Sequence, residues 1–202
     1  MVKAIRPYIR SFVLFFLIFV CFFHFSISVF AVPTFYFLDV PVVGQAPKQN
    51  WCWVACGTAV VNYYGNSISK NDFSIAAVGN ATHDDPKSMA VVQAGLQHWS
   101  LSSTYVNSSL SFSSIKTQIY AEHPSIAGRI YYEYIPSIGE GVLFGHMFVV
   151  TGYSELYTGE QIVEVMNPGG SGALEYYEHS EFCALSGTNS YSWWAESLKS
   201  IH

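Results

Sequence analysis

Apolar and polar positions divide the chain into three parts with different spacing. Residues 11–30 are almost all Phe, Val, Leu and Ile, and they follow Lys3, Arg6 and Arg10. Apolar residues then recur at intervals of three and four up to about residue 120, which predicts amphipathic helices. Short runs rich in Ile, Val, Tyr and Phe, separated by Gly, Ser, Asn and Pro, follow from residue 125 and predict strands. Helices followed by an antiparallel sheet predict an α+β fold.

Four helices and four strands are predicted at definite positions. The helix that starts at Cys52 is expected to be capped by Asn50 and to end at Gly65. The other predicted helices are one capped by Ser69 and ending at Gly79, one over residues 88–99, and one capped by Ser111 or Ser113 that stops before Pro124. The predicted strands are residues 125–134, 146–153, 160–167 and 172–182.

The N-terminal part has the pattern of a secretion signal. Basic residues precede the apolar run, and Val29 and Ala31 are small residues at the positions that a signal peptidase recognises. We therefore expect residues 1–31 to be a signal peptide, cleaved after Ala31, and the remaining protein to be extracellular or in the cell envelope, free of the membrane. An apolar run of this length could instead be kept as a membrane anchor.

Length and charge limit the remaining residues 32–202 to one domain and exclude some partners. The 171 residues left after cleavage suffice for a single core but not for two ordinary domains. The signal carries three of the nine Lys and Arg and no acid, so six bases face 14 acids, a net charge of −8. Such a charge argues against a nucleic-acid partner. We expect a monomer that needs no cofactor.

Cys52 is the first candidate for chemistry. It lies where a polar turn changes into an apolar helix, so free backbone N–H groups and the positive end of the helix dipole would favour a thiolate. Such a position, next to a protonated imidazole, lowers a cysteine pKa and makes a nucleophile. Cys21 leaves with the signal, and Cys56 and Cys183 are either bridged or buried as small apolar residues.

His146 and Asn167 are the predicted partners of Cys52. Each lies in one of two apolar strands joined by the polar turn 154–159, and a symmetric turn would pair residues whose numbers sum to 313, which makes these two residues direct neighbours. An Asn carbonyl in that position could orient the His ring. Taken singly, His146 could be an ordinary core histidine and Asn167 an ordinary turn residue.

Other residues offer weaker candidates. His83, Asp84 and Asp85 could be metal ligands, but consecutive residues chelate poorly, so a solvated loop is favoured and no metal site is predicted. Trp51 and Trp53 are expected to be structural anchors rather than substrate contacts.

Four motifs in order carry a resemblance to a known family. They are Val-Pro-Val-Val-Gly-Gln followed by Asn-Trp-Cys-Trp-Val-Ala-Cys at residues 40–56, Leu-Ser-Phe-Ser-Ser-Ile-Lys at 110–116, Gly-His-Met-Phe-Val-Val-Thr-Gly-Tyr at 145–153, and Val-Met-Asn-Pro at 165–168. The chain resembles the small secreted bacterial papain-like cysteine peptidases, the group with staphopain-like and bacteriocin-processing-like domains. The resemblance covers residues 40–167.

The resemblance implies a fold and a site. It implies a helical N-terminal lobe packed on an antiparallel sheet lobe, with Cys52 as nucleophile, His146 as base and then acid, and Asn167 as the orienting residue. Gln45 would form the oxyanion hole with the Cys52 N–H. Its spacing of seven residues from Cys52, where the family usually has six, leaves Gln49 as an alternative.

The implied activity is hydrolysis of protein or peptide substrates through a thioester acyl-enzyme. Two alternatives remain open at this point. One is an acyltransferase or transglutaminase-type enzyme with the same triad, and the other is a non-catalytic secreted binding protein on the same scaffold.

Overall fold

Four helices lie between residues 52 and 120, as the apolar spacing predicts. A computed structural model describes residues 32–137, 139–186 and 190–201. The helices of the first half are α1 (Cys52–Tyr63), α2 (Lys70–Val78), α3 (Met89–His98) and α4 (Phe112–Tyr120).

Local sequence explains most of the helix ends. Ser69 caps α2 in a reciprocal capping box with Asp72, and Gly79 ends that helix in the left-handed conformation, with φ of 78°. The hydroxyl of Ser111 accepts the Ser114 N–H at the start of α4, which decides between the two predicted caps. The predicted cap of α1 is wrong, because Trp51 occupies the N-cap position and no side chain caps it.

Most strands of the antiparallel sheet lie in the second half of the chain. Its strands are β1 (Phe35–Phe37), β2 (Ser102–Val106), β3 (Ser125–Ile135), β4 (Glu140–Glu155), β5 (Gln161–Asn167), β6 (Ala173–Glu178), β7 (Ala184–Ser186) and β8 (Ser190–Ile201). Within the described residues the main path of the sheet runs β2-β8-β3-β4-β5-β6, with β1 paired to β4 and β7 paired to β8. Thus β4 and β5 are neighbours, as predicted.

The sheet differs from the prediction at several strands. The predicted strand 172–182 ends at Glu178, and a short helix, α5 (His179–Cys183), follows it and buries Phe182. Strands β1, β2, β7 and β8 were not predicted, and β8 lies between β2 and β3 in the sheet. The pairing of β3 with β8 changes register between Gly128 and Arg129 of β3, so the alternation of apolar and polar residues is interrupted there.

Helix α1 positions the candidate nucleophile against the sheet. Its residues 52–61 are all buried, and it contacts β4 as well as α2 and α3. Gly57 lets the helices approach closely, because a Cβ at that position would lie 2.0 Å from the Phe73 ring of α2. The first residue of α1 is therefore held at the junction of helices and sheet. This arrangement is the predicted α+β fold.

No helix within residues 32–137, 139–186 and 190–201 is long and apolar enough to cross a membrane. The predicted signal peptide, residues 1–31, and the alternative that it serves as an anchor lie outside the described residues.

Candidate active site

Cys52 begins α1 and faces strand β4. Its side chain is 8% exposed. The backbone N–H groups of Met147, Trp53 and Cys52 itself lie close enough to hydrogen-bond its sulfur. Met147 directly follows His146 in β4. Cys52 and His146 both line one cavity of about 170 Å³, together with Pro86, Lys87, Gly128, Arg129, Ile130, Gly145, Met147 and Glu196.

Asp84 holds the turn that leads into Cys52. Its carboxylate accepts the N–H groups of Gln49 at 3.1 Å and of Asn50 at 2.8 Å, and these bonds lower the pKa of Asp84. The Asn50 side chain donates to the Asp84 carbonyl instead of capping α1. The bonds from Asp84 to this turn were not predicted from the sequence, although the polar run of His83, Asp84 and Asp85 predicted a loop.

The same loop is fastened by both tryptophans. Trp51 donates its ring N–H to the His83 carbonyl at 2.9 Å, and Trp53 donates to the Asp85 carbonyl at 3.1 Å. The His83 ring stacks on Trp53 with 5.8 Å between ring centroids. Trp51 and Trp53 are thus structural anchors, as expected. His83 is packed rather than solvated, and no group of three or more His, Cys, Asp or Glu among the described residues could hold a metal ion.

His146 and Asn167 are brought together, but not as a directly opposed pair. His146 Nε2 lies 2.9 Å from Asn167 Oδ1. The strands pair with Val150 opposite Val165 and Tyr153 opposite Val163, so the predicted register is wrong. A bulge between Val150 and Gly152 and an asymmetric turn shift it. The two side chains meet along a diagonal of the same face, which long side chains can span.

Burial is the largest influence on the pKa values of Cys52 and His146. Burial raises the pKa of Cys52 above its ordinary value of 9.0, although the backbone N–H groups around it act in the opposite direction. Burial also lowers the pKa of His146 below 6.5, while its bond to Asn167 and the nearby Glu175 carboxylate raise it. The lowered Cys52 pKa that its helix position suggests is thus opposed by burial, which raises that pKa. Both shifts favour a neutral thiol beside a neutral imidazole.

Gln45 lies close to the Asn167 turn. Its backbone N–H donates to the Pro168 carbonyl at 2.7 Å, and its side-chain Nε2 donates to the Gln49 carbonyl at 2.7 Å. Gln45 is partly buried, whereas Gln49 is exposed. Neither residue belongs to the described lining of the cavity. The two candidate oxyanion donors, Gln45 and Gln49, are thus joined by a hydrogen bond from the Gln45 side chain to the Gln49 carbonyl. The assignment of the oxyanion donor stays a prediction.

The remaining cysteines are not bridged. Cys52, Cys56 and Cys183 are free thiols. Burial raises the pKa of both Cys56 and Cys183, and Cys56 is fully buried, which agrees with a packing role.

A known structure shares this fold at low sequence identity. Xylellain, a cysteine protease from Xylella fastidiosa, is 12% identical, with a TM-score of 0.54 over 85% of this chain and 88% of that chain. A double glycine motif protease from an AMS/PCAT transporter, solved with its leader peptide, is 15% identical, with a TM-score of 0.49 over 82% of this chain and 95% of that chain. Comparison with curated protein sequences gives no significant match.

The fold is that of the papain-like cysteine peptidases. Residues 37–195 match the model of the Peptidase_C39 like family, which is well over half of the chain. The chain belongs to this family and is a cysteine peptidase.

Proposed function

We propose that the protein is a secreted peptidase that cleaves peptide bonds with Cys52, His146 and Asn167 as its catalytic residues. The observation that carries the proposal is the His146–Asn167 hydrogen bond of 2.9 Å, with His146 and the buried Cys52 lining the same cavity. A nucleophile, a base and a group that orients the base are the three parts that this chemistry needs.

The tautomer of His146 follows from its bond to Asn167. The amide oxygen can only accept, so Nε2 carries the ring proton and Nδ1 has the lone pair. In the first step Nδ1 takes the thiol proton while the sulfur bonds to the substrate carbonyl. Since thiol and imidazole both start neutral, proton transfer accompanies the attack. Asn167 then stabilises the imidazolium by accepting its other N–H.

The remaining steps complete the reaction. The oxyanion is held by the Cys52 N–H, which at the first position of α1 is not used by the i−4 backbone bonds of the helix, and by the Gln45 amide. The C–N bond breaks, and His146 gives its proton to the leaving amine. Water then attacks the thioester with His146 again as base, and the product carboxylic acid and the Cys52 thiol are released.

Secretion, extracellular or envelope location and a monomeric state belong to the same proposal. Their support is the basic and apolar pattern of residues 1–31 and the net charge that remains after their removal. N-terminal sequencing of the exported protein should begin at Val32. A chain that still begins at Met1 would overturn the cleavage.

Labelling with an electrophilic thiol inhibitor tests the catalytic proposal. We expect Cys52 to be labelled in parallel with the loss of peptidase activity, and Cys52→Ala to abolish both. Cys183→Ser is the matched control, because Cys183 is also a partly accessible free thiol but lies outside the cavity. It should keep full activity. Full peptidase activity in Cys52→Ala, or detection of transferred but never hydrolysed product, would overturn the proposal.

A further inference from the structure

Asn167 is the centre of a side-chain network that extends away from the cavity. Its Oδ1 lies 2.9 Å from His146 Nε2 and accepts the Gly169 N–H at 2.9 Å. Its Nδ2 donates to Glu175 Oε1 at 2.9 Å. The second carboxylate oxygen of Glu175 accepts the hydroxyl of Tyr177. Asn167 thus connects the His146 ring to a carboxylate on the next strand.

The sheet register explains why Glu175 reaches Asn167. Asn167 is paired with Ala173, and Glu175 is paired with Val165, two residues earlier on β5. Residues two apart in a strand point to the same face, so Asn167 and Glu175 are diagonal neighbours. Their contact follows from the pairing of β5 with β6.

The carboxylate determines which way the Asn167 amide faces. An ionised carboxylate only accepts hydrogen bonds, so Nδ2 must face Glu175. Oδ1 then faces His146 and the Gly169 N–H, and both can donate to it. If the amide were turned around, oxygen would face the carboxylate and NH₂ would face a donor. Glu175 therefore favours the His146 tautomer in which Nδ1 is the base.

Charges from several elements act on His146. Arg129 on β3 is its cross-strand partner, is only 2% exposed and lowers the pKa of His146, whereas Glu175 on β6 raises it. Cys52 on α1 faces the same cavity, and Lys87 and Glu196 line it. Glu175 opposes both burial and Arg129.

Glu175 is itself held in a partly buried site. Tyr177 donates to it, and the Glu175 charge contributes to the raised pKa values of Tyr177 and Tyr131. Arg129 acts on both tyrosines in the opposite direction. The side chains around this carboxylate thus combine one buried cation with two protonated phenols.

We infer that Glu175 is a positioning residue that orients the Asn167 amide and supplies, through Asn167, the negative charge that stabilises the His146 imidazolium. The inference rests on the proposed function of Cys52, His146 and Asn167. Asn167 carries no charge, and Glu175 provides the charge one residue further along the network. The imidazolium that forms during attack is stabilised in this way without a carboxylate in direct contact with the ring.

The first test measures the His146 titration without turnover. We use Cys52→Ala protein and follow the His146 ring by NMR, with and without Glu175→Gln. Removal of the negative charge should lower the His146 pKa by about 0.5–1 unit. Glu178→Gln is the matched control, since it removes the same charge from an exposed position on the same strand. It should leave the titration unchanged. An equal His146 pKa with and without Glu175→Gln would overturn the inference.

The second test moves the charge by one position. Asn167→Asp would place a second carboxyl against Glu175, and Glu175→Gln would remove the negative charge that is hydrogen-bonded to Asn167. Each substitution should lower kcat/KM about tenfold at neutral pH. The double variant Asn167→Asp with Glu175→Gln restores one carboxylate and one amide in hydrogen-bond contact. We expect its kcat/KM to recover to within about threefold of the unmodified protein. A double variant as impaired as the worse single variant would overturn the inference.

These tests separate the inference from the proposed function. If Cys52→Ala kept full peptidase activity, the proposed function would fail, whereas the His146 titration would still decide the role of Glu175. If Cys52→Ala were inactive and Glu175→Gln changed neither the titration nor kcat/KM, only the inference would fail.

Discussion

His146 and Asn167 are hydrogen-bonded at 2.9 Å although the sheet does not pair them. Phe148 supports this contact, because its ring packs edge-to-face on His146 with 4.8 Å between ring centroids. Helix α1 places the Cys52 sulfur close to the backbone N–H of Met147, the residue that follows His146 in the chain. Two strands and one helix therefore supply the three proposed catalytic residues.

The pH dependence of activity should report a neutral resting pair. An imidazole must be unprotonated to act as a base, and burial lowers the pKa of His146 below 6.5. We therefore expect kcat/KM to rise with pH through a value below 6.5 and to be fully developed at neutral pH. Burial raises the pKa of Cys52, so thiolate absorbance that depends on Cys52 should develop only above pH 9.0.

Ultraviolet titration of the protein against Cys52→Ala checks this prediction. The difference between the two proteins isolates Cys52 from Cys56 and Cys183, which are free in both. A Cys52-dependent thiolate signal at neutral pH would show a resting ion pair instead and would contradict the neutral pair.

Asp84→Ala should loosen the turn before Cys52. Its carboxylate accepts two backbone N–H groups and has a lowered pKa, so its contribution to stability is present above the unfolded value of about 3.9 and is lost as pH falls through the lower folded value. We expect a lower Tm and lower kcat at neutral pH, with the Tm difference closing in strong acid. Asp39→Ala removes an exposed carboxylate elsewhere and serves as the control. Equal Tm values for both variants at neutral pH would refute the role of Asp84.

The sequence predicted the elements that depend on local signals. The capping residues Ser69 and Ser111 and the left-handed Gly79 are local features, and the structure confirms the helix boundaries that they indicate. The start of α1 at Cys52 was predicted correctly, but its cap was misassigned because Asn50 has a competing partner, Asp84, 34 residues away. No local pattern reports such a contact.

The network behind His146 could not be predicted for a related reason. The contact between Asn167 and Glu175 depends on the register of β5 with β6, and the position of His146 depends on a bulge after Val150. Burial of Cys52 by helix and sheet together likewise reverses the pKa shift that its helix position alone suggests. These features arise from packing between elements that are distant in sequence.

Gly57→Ala should destabilise the helical part although alanine favours helix. The added Cβ would lie 2.0 Å from the end of the Phe73 ring, which is fully buried. Overpacking of this kind costs about 1–3 kcal/mol, which exceeds the gain of about 1 kcal/mol in helix propensity. Urea unfolding should show a lower free energy of unfolding.

The double variant Gly57→Ala with Phe73→Leu is the control for that mechanism. A shorter side chain at position 73 makes room for the new methyl group, so the two substitutions together should cost less than the sum of their separate effects. Additive losses would show that the Phe73 ring is not what opposes the methyl group.

Gln45→Ala and Gln49→Ala form a matched pair that assigns the oxyanion donor. The Gln45 amide is positioned by the Gln49 carbonyl, which is a backbone group and remains after Gln49→Ala. Loss of an oxyanion donor typically costs about 10²–10³ in kcat, so we expect that loss for Gln45→Ala and nearly full activity for Gln49→Ala. Steady-state kinetics with one peptide substrate would measure both. The reverse order of the two variants would assign the role to Gln49, and equal small effects would leave the Cys52 N–H as the principal donor.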